Sequence, residues 1–175
     1  QLGDQVQKEM SILFSDIRSF TTLSESMTPE ENFRFVNSYL SLMGPLVREH
    51  HGYIDKYVGD SIMALFERTP DDAVQTSVSM FKALREFNEE RLRKGYEPIR
   101  IGVGVNTGMM MLGTLGEEDR MEGSVISDAV NLAARLEGLT KLYKTKLLIS
   151  EATFKKLTLE VFKPRLIDKV AVKGK

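Results

Sequence analysis

An α+β fold is what this sequence predicts: strand, helix, strand, strand, helix, strand, followed by a C-terminal extension of shorter helices and strands. Three observations carry that expectation. The apolar run Met10-Ser11-Ile12-Leu13-Phe14 has the length of a buried strand and stops at Ser15-Asp16. Two long segments, opening near Pro29 and near Asp71, repeat apolar residues at helical spacing. Between them two short apolar runs flank Val58-Gly59-Asp60, and after the second helix Ile99, Ile101, Val103 and Val105 alternate as in a strand.

Each element has a local reason. Residues 1–8 are polar and read as a linker or helix end, so the domain is expected over 9–175. Thr28-Pro29-Glu30-Glu31 combines an N-cap threonine, a proline at the first helical position and acids in the first turn. The helix that follows carries two apolar stripes, Phe33, Val36, Leu40, Met43, Val47 and Phe35, Tyr39, Leu42, Leu46, and so needs more than one surface to cover it. Gly44-Pro45 is a candidate kink. Residues 53–57 and 61–66 read as a hairpin turning at Gly59-Asp60. Residues 71–94 form the second amphipathic helix, along Val74, Ser77, Phe81, Leu84 and Phe87 or Asn88, and Pro98 ends it.

The glycine-punctuated stretch to Leu115 reads as the second strand of a hairpin begun at Ile99, and 116–123 as a protruding arm. Residues 128–137 read as a short helix closed by Gly138, 147–149 as a strand, Ser150 as the start of another short helix, and 161–166 and 169–172 as strands. The first six elements make a ferredoxin-like βαββαβ core with its helices on one sheet face, and a C-terminal αβ extension follows.

Composition narrows function. With 42% hydrophobic and 28% charged residues the chain suits one soluble core. There is no cysteine, which excludes disulfides, thiolate catalysis and cysteine-bound zinc. A net charge of -1 offers no bulk attraction to nucleic acid. No apolar run reaches the ~20 residues a bilayer span needs, so no membrane contact is expected of this segment, and a cytoplasmic location is. A start at Gln1 suggests a fragment whose regulatory domain lies upstream.

Asp16 stands where a buried strand ends, well placed to hold a hard cation, although a turn aspartate would look the same. Asp60 occupies a hairpin turn, where aspartate is common. Together they say more. With the first strand beside the strand that starts the hairpin, both acids would reach one sheet edge. Two close carboxylates repel unless a cation lies between them. Asn131 and Arg135 are four apart and share a helix face, suited to orienting a sugar and neutralising a phosphoryl group, or simply solvated. Lys56 shares a strand face with Val58. His50 and His51 sit at a helix end, where capping explains them. Met109, Met110 and Met111 read as core filling.

Four segments in order resemble a known family: Leu13-Phe14-Ser15-Asp16-Ile17-Arg18-Ser19-Phe20-Thr21, Lys56-Tyr57-Val58-Gly59-Asp60-Ser61-Ile62-Met63-Ala64-Leu65-Phe66, Gly102-Val103-Gly104-Val105-Asn106-Thr107-Gly108, and Asp128-Ala129-Val130-Asn131-Leu132-Ala133-Ala134-Arg135-Leu136-Glu137. On these the chain resembles the class III adenylate and guanylate cyclase catalytic domains from about Met10 to Lys173. The resemblance implies two magnesium or manganese ions on Asp16, Asp60 and the Ile17 carbonyl. It implies in-line attack of the ribose 3′-hydroxyl of ATP on the α-phosphate, releasing pyrophosphate. Phe20 and Thr21 would cradle the distal phosphates, Lys173 would reach the triphosphate, Asn131 would orient the ribose and Arg135 would stabilise the α-phosphoryl charge.

Lys56 and Ser124 fall at the purine-reading positions. Lysine only donates, which suits adenine N1 and opposes the guanine N1–H. Adenylate cyclase is therefore the expected activity, with guanylate cyclase or a catalytically silent nucleotide-binding homologue as alternatives. A diguanylate cyclase is rejected, since the hairpin reads Val58-Gly59-Asp60-Ser61. Departures from the family pattern are Ser127 and Ser19, where glycine is common, and Ser124 for aspartate or threonine. In the family the two halves of each site come from different subunits. This chain carries both, so a homodimer with two shared sites is implied.

Overall fold

The structure is a computed structural model that describes residues 5–115, 122–126, 128–158, 160 and 162–168. Along the chain run β1 (Gln5–Ile17), α1 (Phe20–Glu25), α2 (Pro29–Glu49), β2 (Gly52–Val58), β3 (Ser61–Phe66), α3 (Pro70–Arg93), β4 (Ile101–Leu115), β5 (Glu122–Ile126), α4 (Asp128–Leu142), β6 (Leu147–Ile149) and α5 (Glu151–Lys155). One sheet holds every strand, in the order β2-β3-β1-β4-β5, with β6 parallel to the start of β4. The expected βαββαβ core is present, with the short α1 added between β1 and α2.

Helix α2 starts as its sequence dictates. The Thr28 hydroxyl accepts from Glu31 N–H at 3.1 Å, and the Glu31 carboxylate accepts from Thr28 N–H at 3.1 Å. The helix runs through Pro45 to Glu49. Its buried line is Phe35, Tyr39, Met43 and Val47, drawn from both predicted stripes, while Phe33 is 69% exposed. Helix α3 buries Ala73, Val74, Thr76, Ser77, Met80 and Leu84. These two helices cover one sheet face, made by Leu13, Ile17, Ile62, Ala64, Phe66, Ile101, Val103 and Val105. The opposite face, with Met10, Ile12, Met63, Leu65 and Met110, takes Ala133 of α4. The two core helices therefore share one face, as expected, and α4 of the C-terminal extension covers the other, since strands buried on both sides need two covers.

Other expectations also change. The stretch 101–115 is one strand, not two arms of a hairpin, because Asn106-Thr107-Gly108 pairs in register with Ile12, Ser11 and Met10. Buried hydrogen bonds Ser11–Thr107 (2.8 Å) and Thr107–Thr153 (2.9 Å) hold that centre flat against β1 and α5. Residues 5–8, expected as linker, pair with Gly113 to Met110 and belong to β1. Helix α4 passes through Gly138 to Leu142, since the flank of Gly138 meets nothing within 4 Å and nothing there demands a turn. Residues 162–166 are not a strand. Of the expected arm, Glu122 and Gly123 belong to β5. Its residues 116–121 lie outside the described set, as do Ser127, Val161 and the segment 169–172. Only Met110 of the three methionines is core; Met109 and Met111 face outward on the alternate side of the strand. His50 ends α2, its Nδ1 on the Leu46 carbonyl at 2.9 Å, as a helix-end histidine should.

Candidate active site

Asp16 is the penultimate residue of β1, opposite Gly102 of β4. Asp60 ends the tight turn between β2 and β3, where Gly59 takes the left-handed φ of +59°. Of the two hairpin strands, the one beside β1 is β3, which leaves the hairpin, not β2, which starts it. That corrects the route by which the acids meet and shortens it, because Asp60 immediately precedes β3. The Ile17 N–H donates to Asp60 Oδ2 at 2.8 Å. Asp60 is only 8% exposed. Burial, then a hydrogen bond with the Asp16 carboxyl, pushes the Asp60 pKa up to about 7, against the pull of the Ile17 N–H. Two carboxyl groups thus share one corner of the sheet.

Sequence reasoning missed a third acid. Glu137 of α4 lies half-buried near Asp16, and burial first, then the Asp16 charge, raises its pKa to about 7, with Lys141 and Arg18 pulling the other way. Two glycines bring it there. A Cβ on Gly104 would stand 2.4 Å from Glu137 N and 2.5 Å from the Ala133 carbonyl, and one on Gly102 would stand 2.5 Å from Thr140 Oγ1. Only glycine lets α4 lie this close to β4. The Asn106 amide anchors the first turn of α4 by donating to the Ala129 carbonyl at 3.0 Å. The signal was present in Gly102-x-Gly104, whose role as a helix seat becomes visible only once β4 and α4 are paired.

After β1 the chain turns through Ser19 in the left-handed region, φ +55°, into α1. That is the position where the resemblance expects glycine. Phe20 stacks on Phe35 with centroids 6.5 Å apart, and Thr21 is exposed on the first turn. Arg18 donates to the Thr145 carbonyl at 2.7 Å. Beside Arg18 and Ser19 opens a cleft of about 770 Å³ whose charged lining is wholly cationic: Arg18, Arg85, Arg100, Lys141, Lys144 and Lys146. It lies between α3, the start of β4 and the end of α4 with the segment that follows it.

The remaining predicted residues do not join Asp16 and Asp60 within the chain. Ala133 and Thr140 turn α4's buried side to the sheet, whereas Asn131 and Arg135 are exposed. Lys56 is exposed on β2, opposite Met63. Ser124 lies on β5, paired with Gly113. Lys173 falls outside the described residues. The acids therefore gather at one place, while the amide, the arginine and Lys56 face outward. Among the described residues no three acidic or histidine side chains are placed to hold one ion.

Comparison with known proteins follows the same lines. The family described as adenylate and guanylate cyclase catalytic domain matches residues 3–175. An adenylate cyclase of Anabaena cylindrica is 46% identical over 182 residues, covering 100% of this chain and 36% of that protein. The chain thus spans about a third of that relative's length. The guanylyl cyclase Cya2 superposes with a TM-score of 0.77 at 36% identity, over 89% of this chain and 80% of that one. The adenylyl cyclase CyaB from P. aeruginosa gives 0.77 at 32%, over 87% and 81%.

Proposed function

The chain belongs to the adenylate and guanylate cyclase catalytic-domain family, and from that premise we propose that it converts ATP to 3′,5′-cyclic AMP and pyrophosphate, with Asp16 and Asp60 as its cation-binding acids. The observation that carries the reading is the acid pair itself. Two carboxyl groups are held in mutual contact at a buried corner, and Asp60 keeps a proton to about pH 7 without a cation. The donors are all oxygen, which fits magnesium or manganese, ions that complete their shells with water and substrate phosphates. Asp16, Asp60 and the Ile17 carbonyl are the ligands this chain offers. Bound there, two such ions would lower the pKa of the ribose 3′-hydroxyl and neutralise the triphosphate.

The chain's own groups do the rest. The amides of Phe20 and Thr21, in the turn set by Ser19, receive the distal phosphates, and Lys173 reaches the triphosphate. Asn131 orients the ribose, and Arg135 donates to the α-phosphoryl oxygens as charge builds on them. The 3′-oxygen bonds to the α-phosphorus, the bond from that phosphorus to the bridging oxygen breaks, and pyrophosphate leaves with the electron pair. The hydroxyl proton passes to water. The cationic cleft beside Arg18 adds a positive field that draws a polyanionic substrate toward this end of the sheet.

Asn131, Arg135 and Lys56 face away from the acids of their own chain, which favours sites completed by a second copy through an isologous contact. The identity of the base is a separate question, because solved relatives of both activities share this fold. Lys56 favours ATP, since an ammonium donates to adenine N1 and repels the guanine N1–H. Ser124 accepts from the 6-amino group. The test is cyclic nucleotide production from ATP and GTP, with magnesium or manganese. ATP turnover that Asp60→Asn abolishes supports the reading. Lys56→Glu with Ser124→Cys should move preference toward GTP, and an unchanged ATP:GTP ratio would refute the base assignment.

A further inference from the structure

Buried hydroxyls in this domain are paired with few exceptions. Ser11, Thr107 and Thr153 bond in series, Ser77 donates to the Ala73 carbonyl, Thr76 to that of Asp72 and Thr140 to that of Glu137. Among the described residues the two buried hydroxyls without a bond of good geometry are those of Ser15 and Tyr39. Both residues are 0% exposed. They are also neighbours. Ser15 precedes Asp16 on β1 and points to the same sheet face as Leu13 and Ile17. Tyr39 occupies the middle of the buried line of α2 that covers this face, its ring edge-on to Phe87 with centroids 6.4 Å apart. Burial above all raises the phenol pKa, a loose contact with the Ser15 hydroxyl pulls it back, and the fields of Asp60 and Asp16 raise it further, so the phenol stays protonated and remains a donor.

A phenylalanine at position 39 would fill the same space without an orphan hydroxyl. The tyrosine keeps a donor on the sheet face that carries Ser15, within the field of Asp60 and Asp16, where a neutral donor stabilises carboxylate charge. We propose that Tyr39 is a positioning residue for the acid pair, its phenol donating through the Ser15 hydroxyl toward the Asp60 carboxylate and holding it in the orientation a divalent cation requires. This rests on the reading of Asp16 and Asp60 as cation ligands.

The test compares Tyr39→Phe, Ser15→Ala, the double variant and Asp60→Asn. The readouts are thermal unfolding in chelator, the manganese concentration at half-maximal thermal shift without nucleotide, and cyclase kinetics. Tyr39→Phe keeps the ring, so its chelator melting temperature should equal or exceed the parent's. Its manganese midpoint should rise about five-fold, the net worth of one ordinary neutral hydrogen bond, and kcat should fall while KM for ATP holds. Ser15→Ala should match it, and the double variant should add nothing, because the two hydroxyls act in series. An unchanged midpoint and kcat in Tyr39→Phe, with Asp60→Asn inert to manganese, overturns the inference alone. A chelator melting temperature well below the parent's also overturns it, since Tyr39 would then serve packing. A normal manganese response in Asp60→Asn removes the underlying reading instead.

Discussion

Gly104→Ala tests the seat of α4 on β4. The added Cβ would lie 2.4 Å from Glu137 N, 2.5 Å from the Ala133 carbonyl oxygen and 3.0 Å from Glu137 Cα. All three are backbone atoms of one helix, so no side chain can swing aside. Clearing an ordinary contact needs α4 to move by about 1 Å, an overpacking strain of roughly 1–3 kcal/mol. For a domain of this size that lowers Tm by about 2–4 °C per kcal/mol. The same shift displaces Asn131 and Arg135, and a misplacement of ~1 Å at reacting groups costs about 10²-fold in rate. Gly138→Ala is the control: it lies inside the same helix, and its added Cβ meets nothing within 4 Å. There alanine should stabilise by about 1 kcal/mol. Thermal unfolding of both variants, with cyclase rates, is the assay. A Gly104→Ala domain as stable and active as the parent, or a Gly138→Ala domain equally damaged, would refute the close-approach argument.

Two further outcomes are expected. Ser19 sits at φ +55° with no side-chain capping bond, so Ser19→Gly should relieve roughly 1–2 kcal/mol of left-handed strain against about 0.5–1 kcal/mol of added chain entropy; urea unfolding should show a small net stabilisation. Without metal, folded Asp60 and Glu137 keep their protons to about pH 7, whereas the ordinary carboxyl values are 3.8 and 4.5. Between those limits the folded state binds more protons than the unfolded one, so stability is greatest at acid pH and falls as pH rises through 7. Melts in chelator across this range should show the decline, Asp60→Asn should remove the part Asp60 contributes and leave that of Glu137, and manganese should stabilise most at the alkaline end.

Much of the fold was legible because local signals agreed. Thr28-Pro29-Glu30-Glu31 placed α2, Gly59 placed the hairpin turn, and alternation placed the start of β4. What failed was punctuation. Gly108 and Gly138 looked like stops, yet one lies in a strand paired along its length with β1 and the other in open space on a helix. The polar start of β1 hid residues 5–8, whose pairing with β4 is backbone chemistry that side-chain pattern does not record. At the candidate site, Asp16 at a strand end and Asp60 in a hairpin turn were singled out from the sequence, and the structure brings the two carboxyl groups together. Glu137 was not, because its role depends on how close α4 comes to β4. Ser15 and Tyr39 were hidden too: one read as a link in a motif, the other as a member of an apolar stripe, and only burial without a partner sets them apart.

In the proposed dimer the acids of one copy work with the amide and arginine of the other, and mixing two dead variants tests this most directly. One carries Asp16→Asn with Asp60→Asn; the other carries Asn131→Ala with Arg135→Ala. Each alone should make no cyclic AMP. Mixed in equal amounts and allowed to exchange, half the dimers should be mixed pairs with one intact site each, restoring about a quarter of parental activity per chain. A mixture as silent as its components would contradict the shared site.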